Sequence, residues 1–191
     1  VIVALDIDTI KRQEDLLKSL QGVIVWYKVG LRLFTAHGKR AVDLVQRHGG
    51  KVFLDLKLHD IPQTVAHAVQ EAQKLGVDAV SLHLMGGPDM VRAAADISPR
   101  PRLWGVTVLT SMAPKDVRLF HADIRLPALV KSLAAIGLVS GADAVICSPQ
   151  EVAALRKAHP HLDMKFVTPG IRPKGAALNG QARVTTPGRA A

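Results

Sequence analysis

Charged side chains follow an apolar segment in the middle of the chain, at a spacing that could place them together. Residues 52–54 are apolar, and Asp55, Lys57 and Asp60 come directly after them, before Pro62. Side chains two apart on a strand share a face, so Asp55 and Lys57 are expected to point together into the interior. A lysine held as an ammonium by a neighbouring carboxylate can stabilise a developing carbanion and then protonate it. A structural ion pair is the alternative, although it is the weaker explanation inside an apolar strand.

A second lysine, Lys28, ends an earlier apolar segment, and the two segments are expected to be neighbouring strands. Lys28, Asp55, Lys57 and Asp60 would then supply positive and negative groups at adjacent strand ends. A lysine kept cationic is a poor Schiff-base nucleophile but a good electrostatic stabiliser and proton donor. The pattern therefore indicates carbanion chemistry.

These side chains need a scaffold that brings strand ends together. Apolar segments predict strands at 1–6, 26–30, 52–57, 79–84, 103–109, 144–148 and 165–170, and amphipathic patterns predict helices at 13–20, 32–48, 62–75, 87–95, 126–139 and 149–158. Continuous apolar strands that alternate with helices are typical of parallel βα units. No Gly-rich dinucleotide fingerprint follows the first strand, which favours a TIM (β/α)₈ barrel over a doubly wound sheet. The polar strand ends would then form one rim.

The strand count is one short of a closed barrel. The chain has 191 residues and ends after 183–187, where a seventh helix is expected to begin. A complete barrel takes about 250 residues. We therefore expect one domain over 1–191 that is a barrel incomplete at its C-terminus, without the eighth strand and its flanking helices.

The composition narrows the classes of partner. The net charge is +9, but the basic residues are dispersed and aromatic residues make up only 4% of the chain, which argues against nucleic-acid binding. An anionic small molecule explains the charge as well. No apolar run is long enough to span a membrane. Cys147 is the single cysteine, so a disulfide framework is excluded and the cytoplasm is the expected location.

The segment LDLKLHDIPQT at 54–64 closely resembles the signature of the orotidine 5′-phosphate decarboxylase family, particularly its bacterial branch. Further segments match in the same order along the chain: 3–6, 28–30, His83 with 86–87, 106–111 and 167–173. The resemblance implies decarboxylation of orotidine 5′-phosphate to UMP, the last step of pyrimidine synthesis. It also implies that the reaction needs neither a cofactor nor a metal.

The resemblance assigns roles to individual residues. The catalytic group would be Lys28, Asp55, Lys57 and Asp60, with Lys57 as the proton donor to C6 of the pyrimidine. The substrate-binding group would be Asp6, Lys28, Asp60, Ile61, Thr64, Thr110, Arg172 and Gln181. Within it, Asp6 would bind the ribose, Thr110 would lie near the base, and Arg172 and Gln181 would belong to a loop that closes over the phosphate. In a homodimer, Asp60, Ile61 and Thr64 would reach into the partner's site.

Two features depart from the family pattern. The family's Gly-Arg-Pro phosphate anchor ends the eighth strand, and Gly188 and Arg189 do not follow a strand, so that role is not assigned to them. Gly180 stands where the family usually has Asp.

Two alternatives to this activity remain. One is a magnesium-dependent keto-sugar-phosphate decarboxylase or aldolase, which also carries Asp-x-Lys-x-x-Asp. The other is an inactive, truncated barrel.

Overall fold

Seven parallel strands form one curled sheet in which spatial neighbours follow chain order. The computed structural model describes residues 1–119, 122–160, 163–173, 175 and 184–190. The strands are β1 (Ile2–Ala4), β2 (Trp26–Gly30), β3 (Lys51–Leu58), β4 (Ala79–His83), β5 (Arg102–Val106), β6 (Ala144–Ile146) and β7 (Phe166–Val167). This order confirms the prediction of parallel βα units, with an open sheet edge at β1 and at β7 in the part of the chain described.

Helices connect the strands and pack beside one another outside the sheet. They are α1 (Ile10–Ser19), α2 (Leu31–His37), α3 (Lys39–Arg47), α4 (Pro62–Lys74), α5 (Gly87–Ala95), α6 (Pro114–Val117), α7 (Leu126–Val139), α8 (Val152–Ala158) and α9 (Pro187–Ala190). Within the described ranges, no helix is both long and apolar enough to cross a membrane.

Several sequence-based boundaries need correction. The continuous helix predicted at 32–48 is two helices, because Gly38 lies between them with φ 51° and ψ −135°, a conformation that only glycine adopts readily. The strands predicted at 103–109 and 165–170 end earlier, at Val106 and Val167. The helix α6 and a 3₁₀ turn at Leu84–Gly86 were not predicted. The sequence predicted that the chain ends where a seventh helix would begin, and the structure has only a single helical turn there, α9, which begins at Pro187.

The chain returns to the open edge beyond β7. Ile171 and Thr185 form an isolated parallel bridge, in which the Arg172 amide donates to the Thr185 carbonyl at 2.9 Å. The Thr185 amide in turn donates to the Gly170 carbonyl at 3.1 Å. This bridge is shorter than a strand, so the described residues form an incomplete barrel, as expected.

The inner face of the curled sheet carries a separate aromatic cluster. Phe53, Trp104 and Ile146 lie in this cluster with Trp26 packed against it, whereas the larger core includes residues of both strands and helices. The Phe53 and Trp104 ring centroids are 4.4 Å apart, and those of Trp26 and Trp104 are 5.3 Å apart. Because side chains alternate along a regular strand, the residue two positions after Phe53 or Trp26 on the same strand also points to this inner face. Large rings therefore fill the floor of the barrel at its amino end.

Two glycines make room for one leucine between the sheet and α7. Leu84 is fully buried. A Cβ at Gly105 would lie 2.6 Å from the Leu84 side chain, and a Cβ at Gly137 would lie 2.7 Å from it. Since glycine lies on both sides, Leu84 has no free direction in which to move.

We predict that Gly137→Ala lowers the free energy of unfolding by about 1–3 kcal/mol, because the added methyl group overpacks Leu84. Helix propensity alone would favour alanine by about 1 kcal/mol. Urea denaturation of both proteins measures the difference. Gly188→Ala is the matched control, because a Cβ there meets nothing within 4 Å. A Gly137→Ala variant as stable as the wild type would contradict this packing analysis.

Candidate active site

A buried carboxylate forms the centre of the charged cluster at the carboxyl end of the sheet. The Asp55 side chain is only 11% exposed, and both of its oxygens lie 2.9 Å from Lys57 Nζ. Lys28 Nζ approaches Asp55 Oδ2 at 3.6 Å. Strand parity explains the positions of Asp55 and Lys28, because Asp55 follows Phe53 on the inner face and Lys28 follows Trp26 there. The prediction that Asp55, Lys57 and Lys28 converge is thus confirmed.

Lys57 reaches the carboxylate through an irregular stretch of β3. Pairing with β4 passes from Leu54 opposite Val80 to Leu58 opposite Leu82, so β3 uses two more residues than β4 over this interval. Such a bulge redirects side chains. Lys57 itself has φ 52°, and it is the single non-glycine residue with positive φ in the described part of the chain. This backbone conformation is unfavourable for an L residue and persists only where the surrounding structure holds it.

Ser81, on the neighbouring strand β4, was not identified from the sequence. Its hydroxyl donates to Asp55 Oδ1 at 2.8 Å and accepts the Lys57 backbone amide at 2.9 Å. The available signal was a polar residue inside the apolar segment 79–82. That signal was weak, because the partner of the hydroxyl depends on the bulge.

Asp6 extends the cluster outward. Its carboxylate accepts from Lys28 Nζ at 3.1 Å and is 68% exposed, so the carboxylate faces solvent beside a buried ion pair. Gly30 allows this arrangement, since a Cβ there would lie 2.8 Å from Lys28 Nζ. The cluster therefore alternates in charge: Asp6, Lys28, Asp55 and Lys57.

Asp60, Ile61 and Thr64 do not join this cluster within one chain. All three are exposed in the loop after β3 and at the start of α4. The Asp60 carboxylate accepts the Ile61 backbone amide at 2.7 Å. Among the described residues, Asp60 has no ion pair with either lysine of the cluster.

The other sequence-predicted binding residues are more dispersed. Thr110 is buried in the loop after β5. Arg172 follows β7, is half-buried, and donates from Nη1 to the Ile171 carbonyl at 3.0 Å. Gln181 lies outside the described residues.

A pair of stacked histidines borders the lysine end of the cluster. The His59 and His83 rings are 5.3 Å apart with an angle of 29° between their planes. Burial lowers the pKa of His83 below its ordinary value near 6.5, and the charges of His59 and Lys57 lower it further. Within the described structure, His83 Nδ1 is buried without a hydrogen-bond partner. The stacking of His83 on His59 is a contact that the spacing of the residues did not reveal.

The chain matches a known protein family over its whole length. All of it, residues 1–191, matches the family model described as Orotidine 5′-phosphate decarboxylase / HUMPS family. It is 41% identical over 197 residues to the orotidine 5′-phosphate decarboxylase of Trichlorobacter lovleyi, covering 100% of this chain and 81% of that protein. It is 43% identical over 195 residues to the enzyme of Pseudomonas aeruginosa, covering 100% and 83%.

A solved structure agrees with these sequence matches. The crystal structure of orotidine 5′-phosphate decarboxylase from Lactobacillus acidophilus has a TM-score of 0.81 and 38% identity, covering 91% of this chain and 81% of that one. The chain therefore belongs to the orotidine 5′-phosphate decarboxylase / HUMPS family. The resemblance seen in the sequence is confirmed, and the relatives named here are carboxy-lyases.

We predict that the free energy of unfolding falls as pH is lowered through about 6.5, in part because of His83. Its pKa is lower in the folded chain, so the unfolded chain binds more protons in this range and stability rises with pH. His83→Asn should therefore reduce the slope by up to one proton in urea titrations at pH 5–7. His67→Asn, on the exposed side of α4, is the matched control. An unaltered slope in His83→Asn would contradict the assignment.

Proposed function

We propose that this chain decarboxylates orotidine 5′-phosphate to UMP. The observation that carries the proposal is the buried Asp55 carboxylate with two lysine ammonium groups at the carboxyl end of a parallel barrel. In this fold, active sites lie at that end. Relatives about 40% identical over the whole chain carry the name of this enzyme, which supports the same substrate here.

Lys57 is the proposed proton donor. The bond between C6 of the pyrimidine and its carboxyl group breaks, carbon dioxide leaves, and the electron pair stays on C6 in the plane of the ring. Delocalisation into the π system gives this anion little help, so a nearby fixed cation must stabilise it. Lys57 Nζ then transfers a proton to C6, and solvent reprotonates the lysine. The Lys57 side chain is 33% exposed, which leaves the ammonium accessible to both substrate and water.

Asp55 and Lys28 form the charged surroundings of the Lys57 ammonium group. Asp55 contacts Lys57 Nζ through both oxygens and thereby fixes its direction. Lys28 Nζ lies 3.6 Å from the same carboxylate and 3.1 Å from that of Asp6. Preorganised charges of this kind need no reorganisation during the reaction, which is the physical reason that we propose chemistry without a cofactor.

The remaining sequence-based roles are part of the same proposal. The exposed Asp6 carboxylate is suited to accept hydrogen bonds from ribose hydroxyls. Thr110 would lie near the base, and Arg172 and Gln181 would bind the phosphate. We also propose a cytoplasmic setting, since the single cysteine permits no disulfide within the chain.

The alternative within the same family is a magnesium-dependent reaction on a phosphorylated keto sugar. The Asp-x-Lys-x-x-Asp pattern is common to both activities. Magnesium prefers an all-oxygen environment supplied by carboxylates and water. Lys28 lies 3.1 Å from Asp6 and 3.6 Å from Asp55, so an ammonium group occupies the space between the two carboxylates. This arrangement favours the decarboxylase that acts without a metal.

We predict that Lys57→Ala lowers kcat at least about a thousandfold, because both the proton donor and the nearest cation are lost. Ultraviolet absorbance follows the conversion of orotidine 5′-phosphate. Lys74→Ala is the matched control, since Lys74 pairs with Glu71 at 2.7 Å on the surface of α4. Retained turnover in Lys57→Ala would overturn the assignment of the proton donor.

Chelation distinguishes the two reactions in the same assay. Decarboxylation of orotidine 5′-phosphate should continue undiminished in EDTA. Activity that is lost in EDTA and restored by magnesium would instead support the keto-sugar reaction.

We also propose a homodimer in which Asp60, Ile61 and Thr64 reach the partner's site. Ile61 is 66% exposed, and two other large apolar residues, Leu31 and Met85, are exposed after neighbouring strands at the same rim. A rim of this kind is the surface that a second copy would cover. Asp60 would then enter the cluster opposite, which would explain its exposure within one chain.

For this dimer we predict that Ile61→Asp produces monomers and lowers kcat/KM at least tenfold, because a charge is placed in an apolar contact. Analytical ultracentrifugation measures the oligomeric state. Val23→Asp is the matched control, since Val23 is 76% exposed in the turn before β2, at the opposite end of the sheet. A dimeric, fully active Ile61→Asp protein would exclude this interface.

A further inference from the structure

The Ser81 hydroxyl, on β4, makes two hydrogen bonds to the neighbouring strand β3. The residue is completely buried on β4. Its one hydroxyl hydrogen goes to Asp55 Oδ1 at 2.8 Å, and its oxygen accepts the Lys57 amide at 2.9 Å. One side chain therefore contacts both the carboxylate that holds the lysine and the backbone that carries it.

The contact with the Lys57 amide replaces a missing sheet hydrogen bond. Between Leu54 and Leu58 the register of β3 against β4 shifts, so regular pairing is interrupted at Lys57. A buried amide left without an acceptor is unfavourable. The Ser81 hydroxyl satisfies this amide while Lys57 keeps φ 52°, a conformation that local preferences alone would not maintain.

The contact with Asp55 sets the rotation of the carboxylate. Oδ1 accepts from Ser81 and from Lys57 Nζ, whereas Oδ2 faces Lys57 Nζ and Lys28 Nζ. Without the hydroxyl, the carboxylate could turn about its side-chain bond and lose this division of partners. The ammonium of Lys57 would then have no single direction.

We propose that Ser81 is a positioning residue for the reaction, which acts through Asp55 and Lys57 and does not touch substrate. This inference rests on the proposed function for its kinetic consequence. In this arrangement a residue of β4 stabilises the bulge of β3 that contains Lys57. The chemistry of Lys57 then depends on a hydroxyl on a different strand.

The kinetic test compares Ser81→Ala, Ser81→Thr and the wild type. Ser81→Ala should lower kcat about tenfold to a hundredfold, the range expected when a hydrogen bond to a charged group is lost. KM should change less than threefold, because the ribose and phosphate contacts are untouched. Ser81→Thr keeps the hydroxyl and should recover most of kcat.

Thr107→Val is the matched control for burial. Thr107 is also fully buried, and its hydroxyl donates to the Ile146 carbonyl at 3.1 Å, away from the charged cluster. A loss of kcat in Ser81→Ala that Thr107→Val reproduces at equal thermal stability would show a general packing effect and overturn the proposal. Wild-type kcat in Ser81→Ala would overturn it as well.

A crystal structure of Ser81→Ala tests the positioning role independently of activity. We expect the Lys57 φ to leave the positive region, or one of the two 2.9 Å contacts between Lys57 and Asp55 to open. An unchanged geometry would overturn the inference. A wild-type chain that fails to decarboxylate orotidine 5′-phosphate would instead contradict the proposed function, and the crystal structure would still decide the role of Ser81.

Discussion

The site depends on the groups that compensate the charge of one buried carboxylate, that of Asp55. Asp55 would be strongly unfavourable inside the barrel if it were alone, because a charge loses its hydration on burial. Two ammonium groups and one hydroxyl surround it within 2.8 to 3.6 Å. All three partners contact the same carboxylate, so the loss of any one of them leaves the buried charge less well compensated. The contacts with Asp55 thereby hold the Lys57 side chain in one position.

The floor beneath the carboxylate strengthens its interactions. Phe53, Trp26 and Trp104 fill the inner face at the amino end, and the charged residues follow on the same face toward the carboxyl end. An apolar floor keeps water away from one side of the cluster, and charges interact more strongly where the effective dielectric constant is low. The inner face of the sheet therefore carries aromatic side chains at its amino end and charged side chains at its carboxyl end.

The sequence predicted those features that depend on strand period and missed those that depend on contacts between strands. Apolar runs and polar ends were enough to place Lys28 and Asp55 on one inner face, since a regular strand has a period of two, whereas Lys57 reaches that cluster through the bulge of β3. The break at Gly38 was missed because amphipathic periodicity continues through it. Ser81 was missed because its role depends on a register shift between β3 and β4, which neither strand reveals alone. The stacking of His59 on His83 is hidden for the same reason.

The position of Asp60 follows from the geometry of the bulge. Lys57 turns inward with a positive φ, and within three residues the chain leaves the sheet for α4, whose first residue is Pro62. This short connection places Asp60 outside the barrel mouth, where its carboxylate accepts its neighbour's amide. Within one chain, this exposed position keeps the Asp60 carboxylate away from the Lys57 ammonium, which Asp55 already contacts through both oxygens. A second copy that presents its own Asp60 from across the rim would avoid this constraint, which is the physical reason for proposing a shared site.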